Sequence, residues 1–183
     1  MEAQTAIKSI KDGTSRPCMV HPIELVQWNM DKKYLLEMHD TGVDIPKMEI
    51  IEAKRFDSAS ALHRRLIEFQ SSGPVVLKPA ISASSNYTTL TSDISNLSKE
   101  DTTHLQSCID GHLGSSIILQ EFEPSISLGE YSFIFVGESL SHVVLKSPRS
   151  GEFRCQQQFS GQLSRKTIEG DSQDDLVCRQ LYL

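Results

Sequence analysis

Six side chains in this sequence have the types and spacing to hold a charged ligand: Lys78, Glu121, Glu130, Lys146, Arg149 and Arg154. Lys78 lies in VVLKPAI and is followed by Pro79 and then by the small residues Ala80, Ser82, Ala83, Ser84 and Ser85. An ammonium is a compact point charge, and small neighbours let backbone N–H groups approach oxygen atoms, so the pattern suits a phosphate. A lysine on a solvated strand edge, where it discourages edge-to-edge pairing, is the competing reading. Lys146, Arg149 and Arg154 spread three cations over a strand, a turn and the next strand. A phosphate or carboxylate held between them would gain roughly 1.5–3 kcal/mol per desolvated contact. Pairing with Glu121, Glu130, Glu138 and Glu152 along the same sheet would need no ligand. Glu121 ends the apolar-leaning run in ILQEFE, where a carboxylate and backbone groups could read an amine and hydroxyls; a plain strand terminus is the alternative.

Several other chemistries have no residues to carry them. The sequence contains no GxxxxGK[ST], GxGxxG or GxSxG, and its six histidines show no zinc spacing. The net charge of −6 argues against nucleic acid or an anionic membrane surface as partner, so an anionic ligand needs a local cationic pocket. Aromatics are 7% of the chain and do not interleave with basic residues, unlike a single-strand nucleic-acid platform. Cys18, Cys108, Cys155 and Cys178 are scattered without a CxxC pair, which points to reduced thiols. No segment approaches the roughly 20 apolar residues of a membrane helix, and a cytoplasmic protein is expected.

The elements that must position these groups follow from periodicity. At 183 residues the chain can form one domain or a pair of small lobes. Residues 1–21 read as a polar, weakly ordered lead-in. VQWNMDKKYLLEMHDTG has helical spacing, with Asn29 or Asp31 as cap and Gly42 as stop. KMEIIEA is a strand. DSASALHRRLIEFQSSG is an amphipathic helix with Leu62, Leu66 and Phe69 on one face. PVVLKPAI is a strand by its β-branched content. Between Ser82 and Thr103 half the residues are serine or threonine, so a loop is expected, either a disordered insert or a mobile flap over a ligand. DTTHLQSCIDGHLG is a second capped helix. SIILQEF, EYSFIFV, SHVVLKS and EFRCQQQF read as four strands, with a Gly137–Glu138 hairpin turn. The order implies an α+β architecture in two lobes.

Three of these stretches together resemble ATP-grasp enzymes of the glutathione-synthetase-like branch, which includes the cyclo-ligase of D-cycloserine synthesis. WNMDKKYLLEMHDTGVDIPKMEII is similar to the opening helix and strand of that family. PVVLKPAISASS is similar to its lysine strand and flexible loop, and ILQEFEPSISLGEYSFIFVGESLSHVVLKSPRSGEFRCQQQFSG to its hinge and cationic strands. The resemblance spans roughly residues 22–161 and implies an ATP-grasp fold of two antiparallel-sheet lobes. Residues 22–118 would form the opening helix and nucleotide-binding lobe, 119–161 the hinge and the start of an incomplete catalytic lobe, and 162–183 an irregular tail. It implies that Lys32 and Lys78 contact ATP phosphates, that Gln120, Glu121 and Phe122 read adenine largely through backbone groups, and that Glu130 binds ribose. Lys146, Arg149 and Arg154 would face the terminal phosphate or an acyl-phosphate, with Lys78 facing Arg154 across a cleft.

The implied partners are ATP, a small carboxylate and an amine, joined through an acyl-phosphate with Mg2+ on the phosphates. Two departures bear on this. The loop after Lys78 has no glycine, and the family's Asp and Glu/Asn metal ligands have no counterpart, since Asp171, Asp174 and Asp175 lie in a polar run. Relative to the family the chain is expected to be cut short at both ends, with weak or no turnover. A non-catalytic nucleotide-binding module and a protein-interaction scaffold are the other expectations.

Overall fold

A computed structural model describes residues 2–14 and 21–166 of the chain, with side chains from residue 5 onward. The elements are α1 (Glu2–Lys11), α2 (Ile23–Met30), α3 (Tyr34–Asp40), β1 (Met48–Glu52), α4 (Ala59–Ile67), β2 (Val75–Pro79), β3 (Thr89–Thr91), α5 (Lys99–Ile109), β4 (Ser116–Glu121), β5 (Glu130–Val136), β6 (Ser139–Ser147) and β7 (Gln162–Lys166). They belong to two units that divide after Phe122.

The first unit holds an antiparallel sheet in the order β1-β4-β2-β3. Alternation along β2 and β4 sends Val75, Leu77, Ile117 and Leu119 to one face, where they pack with Leu62 and Leu66 of α4 and Leu105 and Cys108 of α5. Both helices start where the sequence places a cap. The Ser58 hydroxyl accepts from Ala61 N–H, and Ser98 and Asp101 form a reciprocal capping box. The second unit holds the antiparallel sheet β5-β6-β7, whose first two strands form the expected hairpin, with Gly137 left-handed at φ 61°. An α+β fold with antiparallel sheets in both units is therefore present.

Five local expectations are corrected. Residues 2–11 are helical rather than weakly ordered, because Glu, Ala, Gln and Lys favour helix and Ile7 is buried. The expected single helix around Trp28 is two, α2 and α3. Asp31 turns extended and bridges Ile81, while Lys32 N–H leaves the helix to donate to Ala80 O at 3.0 Å. The Ser/Thr-rich stretch contains β3, which pairs with β2, and α5 begins within it.

EFRCQQQF is not a strand. Glu152 Oε1 accepts from the backbone N–H groups of Phe153 and Arg154, so a side chain satisfies the amides a ladder would use. A 3-10 turn follows at Gln157–Phe159. Gly161 then passes so close to Cys155 that a Cβ there would sit 2.1 Å from the carbonyl oxygen. The fourth strand role, expected of that segment, falls instead to β7 in the supposed irregular tail. Four of its five residues are polar, and it is mostly exposed because it is an edge strand.

Candidate functional site

Register fixes which face of the first sheet can do chemistry. Lys78 pairs with Ile118 and Val76 with Gln120, so Lys78 and Gln120 share the face turned away from α4 and α5. Lys78 Nζ donates to Gln120 Oε1 at 2.6 Å. Burial, and then the nearby Lys32 cation, pull the Lys78 amine down from a lysine's usual 10.5 to about 8. Lys32 Nζ donates to Ser82 O at 2.7 Å, Ser82 Oγ at 3.0 Å and Ala80 O at 3.4 Å. Burial lowers its amine too, partly offset by Asp31. Neither ammonium has a carboxylate at ion-pair distance among the described residues.

Lys32 and Ser82 line a cleft of about 710 Å³, together with Asn29, Met30 and Tyr34 from α2 and α3, residues 81–83, 86 and 87, and the 111–114 turn. Its lining contains no carboxylate, so the electrostatic preference is for an anion. The loop beside it follows a left-handed path at Ser84 (φ 56°), Ser85 (φ 54°) and Tyr87 (φ 58°). These are the turns at which a glycine would be least strained.

The residues expected at the hinge lie on opposite faces. Gln120 is beside Lys78. Glu121 is across from Val75 on the helix side, where its Oε1 accepts from Ser72 N–H at 3.1 Å. The backbone N–H groups of Glu121 and Phe122 donate to Lys47 O and Pro74 O.

In the second unit Glu130 and Lys146 sit directly opposite each other on β5 and β6 and form an ion pair at 3.1 Å. Arg154 donates from Nε and Nη2 to the two oxygens of Glu152, at 3.0 and 2.7 Å, and its guanidinium lies 3.6 Å from the centre of the Phe159 ring. Hydrogen bonds from Arg154 hold the Glu152 carboxyl down at about 2. Arg149 is exposed in the turn after β6, and its side chain makes no hydrogen bond or ion pair among the described residues. Internal pairing, one of the two readings of this cationic group, thus describes Lys146 and Arg154 but not Arg149.

Among the described residues there is no group of three or more His, Cys, Asp or Glu that could hold a metal ion. Asp171, Asp174 and Asp175 lie outside the described residues, as do Cys18 and Cys178. Cys108 and Cys155 are free and buried, and burial lifts the Cys108 thiol to about 11. No described helix is long and apolar enough to cross a membrane. Sequence reasoning missed Asn29, Tyr34 and His112 as cleft residues, because only the tertiary fold brings their three segments together.

No family model matches the sequence, and no curated protein matches it. Among solved structures, D-cycloserine synthetase DcsG is similar at 20% identity and TM-score 0.62, covering 97% of this chain and 58% of that one. A D-alanine-D-alanine ligase from Helicobacter pylori matches at 11% identity and TM-score 0.48, covering 87% of this chain and 42% of its own. The VanG D-Ala:D-Ser ligase from Enterococcus faecalis matches at 16% identity and TM-score 0.48, covering 84% and 43%. The first likeness shows a shared fold, and this chain spans little more than half the length of that protein.

Proposed function

We propose, on the premise that this chain has the ATP-grasp fold, that its first unit binds ATP. The observation that carries the reading is the pair Lys78 and Lys32. These are two cations close enough for one to depress the other's amine, neither with a carboxylate partner among the described residues. A phosphate chain lying between them would supply the missing negative charge and favour the charged form of both amines. The base would lie beside Gln120 on the Lys78 face of the sheet, reading the backbone of Gln120, Glu121 and Phe122 rather than the Glu121 side chain, which turns to the helix side.

The reaction class that such a site serves is ligation. A carboxylate oxygen attacks the terminal phosphorus and ADP leaves; an amine then adds to the acyl-phosphate carbon and phosphate departs. By the resemblance alone, Glu130 would be a ribose-binding carboxylate, and Lys146, Arg149 and Arg154 would be phosphoryl-binding cations. For Lys146 and Arg154 this means exchanging a carboxylate partner for a phosphate, whereas Arg149 has no such partner among the described residues. Magnesium supplies phosphate neutralisation in this chemistry, and the described residues offer it no carboxylate cluster.

Isothermal titration of ATP, with Lys78→Ala as control, tests the binding. Saturable heat in the parent chain that disappears in the variant is the expected result; no heat at millimolar ATP would remove the reading. Release of ADP dependent on magnesium, a carboxylate and an amine tests the ligation separately.

A further inference from the structure

We infer that Lys32 is a positioning residue, which sets the path of the 81–87 loop before any ligand arrives. All three acceptors of its ammonium belong to the stem of that loop: Ser82 O, Ser82 Oγ and Ala80 O. The Lys32 backbone N–H donates to Ala80 O as well, and the adjacent Asp31 bridges Ile81. The break between α2 and α3 is therefore stitched to the stem by both main chain and side chain.

The loop needs such a hold. Three of its non-glycine residues, Ser84, Ser85 and Tyr87, have left-handed backbone angles, a conformation that persists only where surroundings impose it. Two internal turns close it, Asn86 N–H to Ala83 O at 3.1 Å and Thr88 N–H to Ser85 O at 3.3 Å. At the far end the Tyr87 ring meets His104 of α5 edge-on, with centroids 5.0 Å apart. The loop is thus fastened at its stem by Lys32 and at its tip by α5, and the cleft lies beside it. Ser82 also turns its hydroxyl back to Pro79 O at 3.3 Å, so loss of the ammonium loosens the point from which the left-handed run begins.

This role concerns the ligand-free protein and does not require the nucleotide reading to be right. Hydrogen exchange is measured on the whole chain without nucleotide, for the parent, Lys32→Met and Lys32→Arg. The amides of Asn86 and Thr88 should exchange at least tenfold faster in Lys32→Met and within about threefold of the parent in Lys32→Arg, whose guanidinium can still donate to Ser82 O. Amides of β4 should not change. Unchanged exchange at Asn86 and Thr88 in Lys32→Met would overturn the inference, as would acceleration by Lys32→Arg equal to that by Lys32→Met. Should Lys32→Met lose its cooperative melt, Ser82→Ala serves instead. It deletes one of the three acceptors, and a rise of about twofold or more at the same amides is expected; no rise overturns the inference. A tripolyphosphate titration of the same variants separates the outcomes. Loop exchange that responds to Lys32→Met with no binding of polyphosphate leaves the inference standing and removes the nucleotide reading alone.

Discussion

Replacing Lys78 by methionine should stabilise the first unit while abolishing its response to ATP. The folded protein holds this amine at about 8 instead of 10.5, which corresponds to roughly 3 kcal/mol of disadvantage to the charged form at neutral pH. Methionine keeps most of the stem volume and brings no charge. It also leaves Gln120 Oε1 without the donor it has at 2.6 Å, a loss of about 1 kcal/mol. The net expectation is a gain of about 2 kcal/mol, or a melting temperature higher by roughly 4–8 °C. The pH dependence supplies an independent check on the sign. Between pH 8 and 10.5 the unfolded chain holds a proton at this position that the folded chain has released. Parent stability therefore rises with pH through that window, and the variant should lack the rise. Thermal melts at pH 7, 8, 9 and 10, with and without millimolar ATP, read both quantities. If Lys78→Met melts below the parent at pH 7 and keeps the same pH slope, the burial argument for Lys78 is wrong, whatever happens to ATP.

ATP binding should take up protons near pH 8.5, since phosphate draws a partly neutral Lys78 back to its charged form, and affinity should fall as pH rises through about 8; calorimetry in buffers of different ionisation enthalpy measures both. At 100 times its dissociation constant ATP should add about 2.7 kcal/mol to the stability of the first unit, visible as a shifted melt. Leu66→Ala should cost about 2–5 kcal/mol, because Leu66 is wholly buried between sheet and helices, and chemical denaturation would reveal a smaller loss if the site can collapse. Ser98→Ala removes half of the α5 capping box and should lower stability by about 1 kcal/mol, with exchange faster in the first turn of α5.

How much could be read from the chain depended on how local the cause was. The helix α4 was legible because Ser58, Leu62 and Leu66 are all within one segment and act there. The strand at PVVLKPAI was legible too, since its β-branched content is a local property. The break at Asp31 was not, because its cause is the Ala80 carbonyl, 48 positions from the Lys32 N–H that bonds to it. EFRCQQQF alternates like a strand, and only the reach of Glu152 back to its own neighbours' amides decides otherwise. QLSRK carries no apolar pattern, so β7 is recognisable only from its partner β6. Pairing within the sheet was one of two readings of residues 146 and 154, and picking Glu130 and Glu152 from the four candidate carboxylates needed the register and the turn.

Leu77 and Lys78 are chain neighbours that face opposite sides of one strand, the first toward the helices and the second toward Gln120. A slip of β2 by a single residue would exchange them, thrusting an amine among leucines and a leucine among cations. Insertions or deletions between Gly73 and Lys78 therefore cannot be tolerated as a mere change of affinity. Reactivity here inherits its accuracy from strand alignment, so a chain that misaligns loses solubility and chemistry in one stroke.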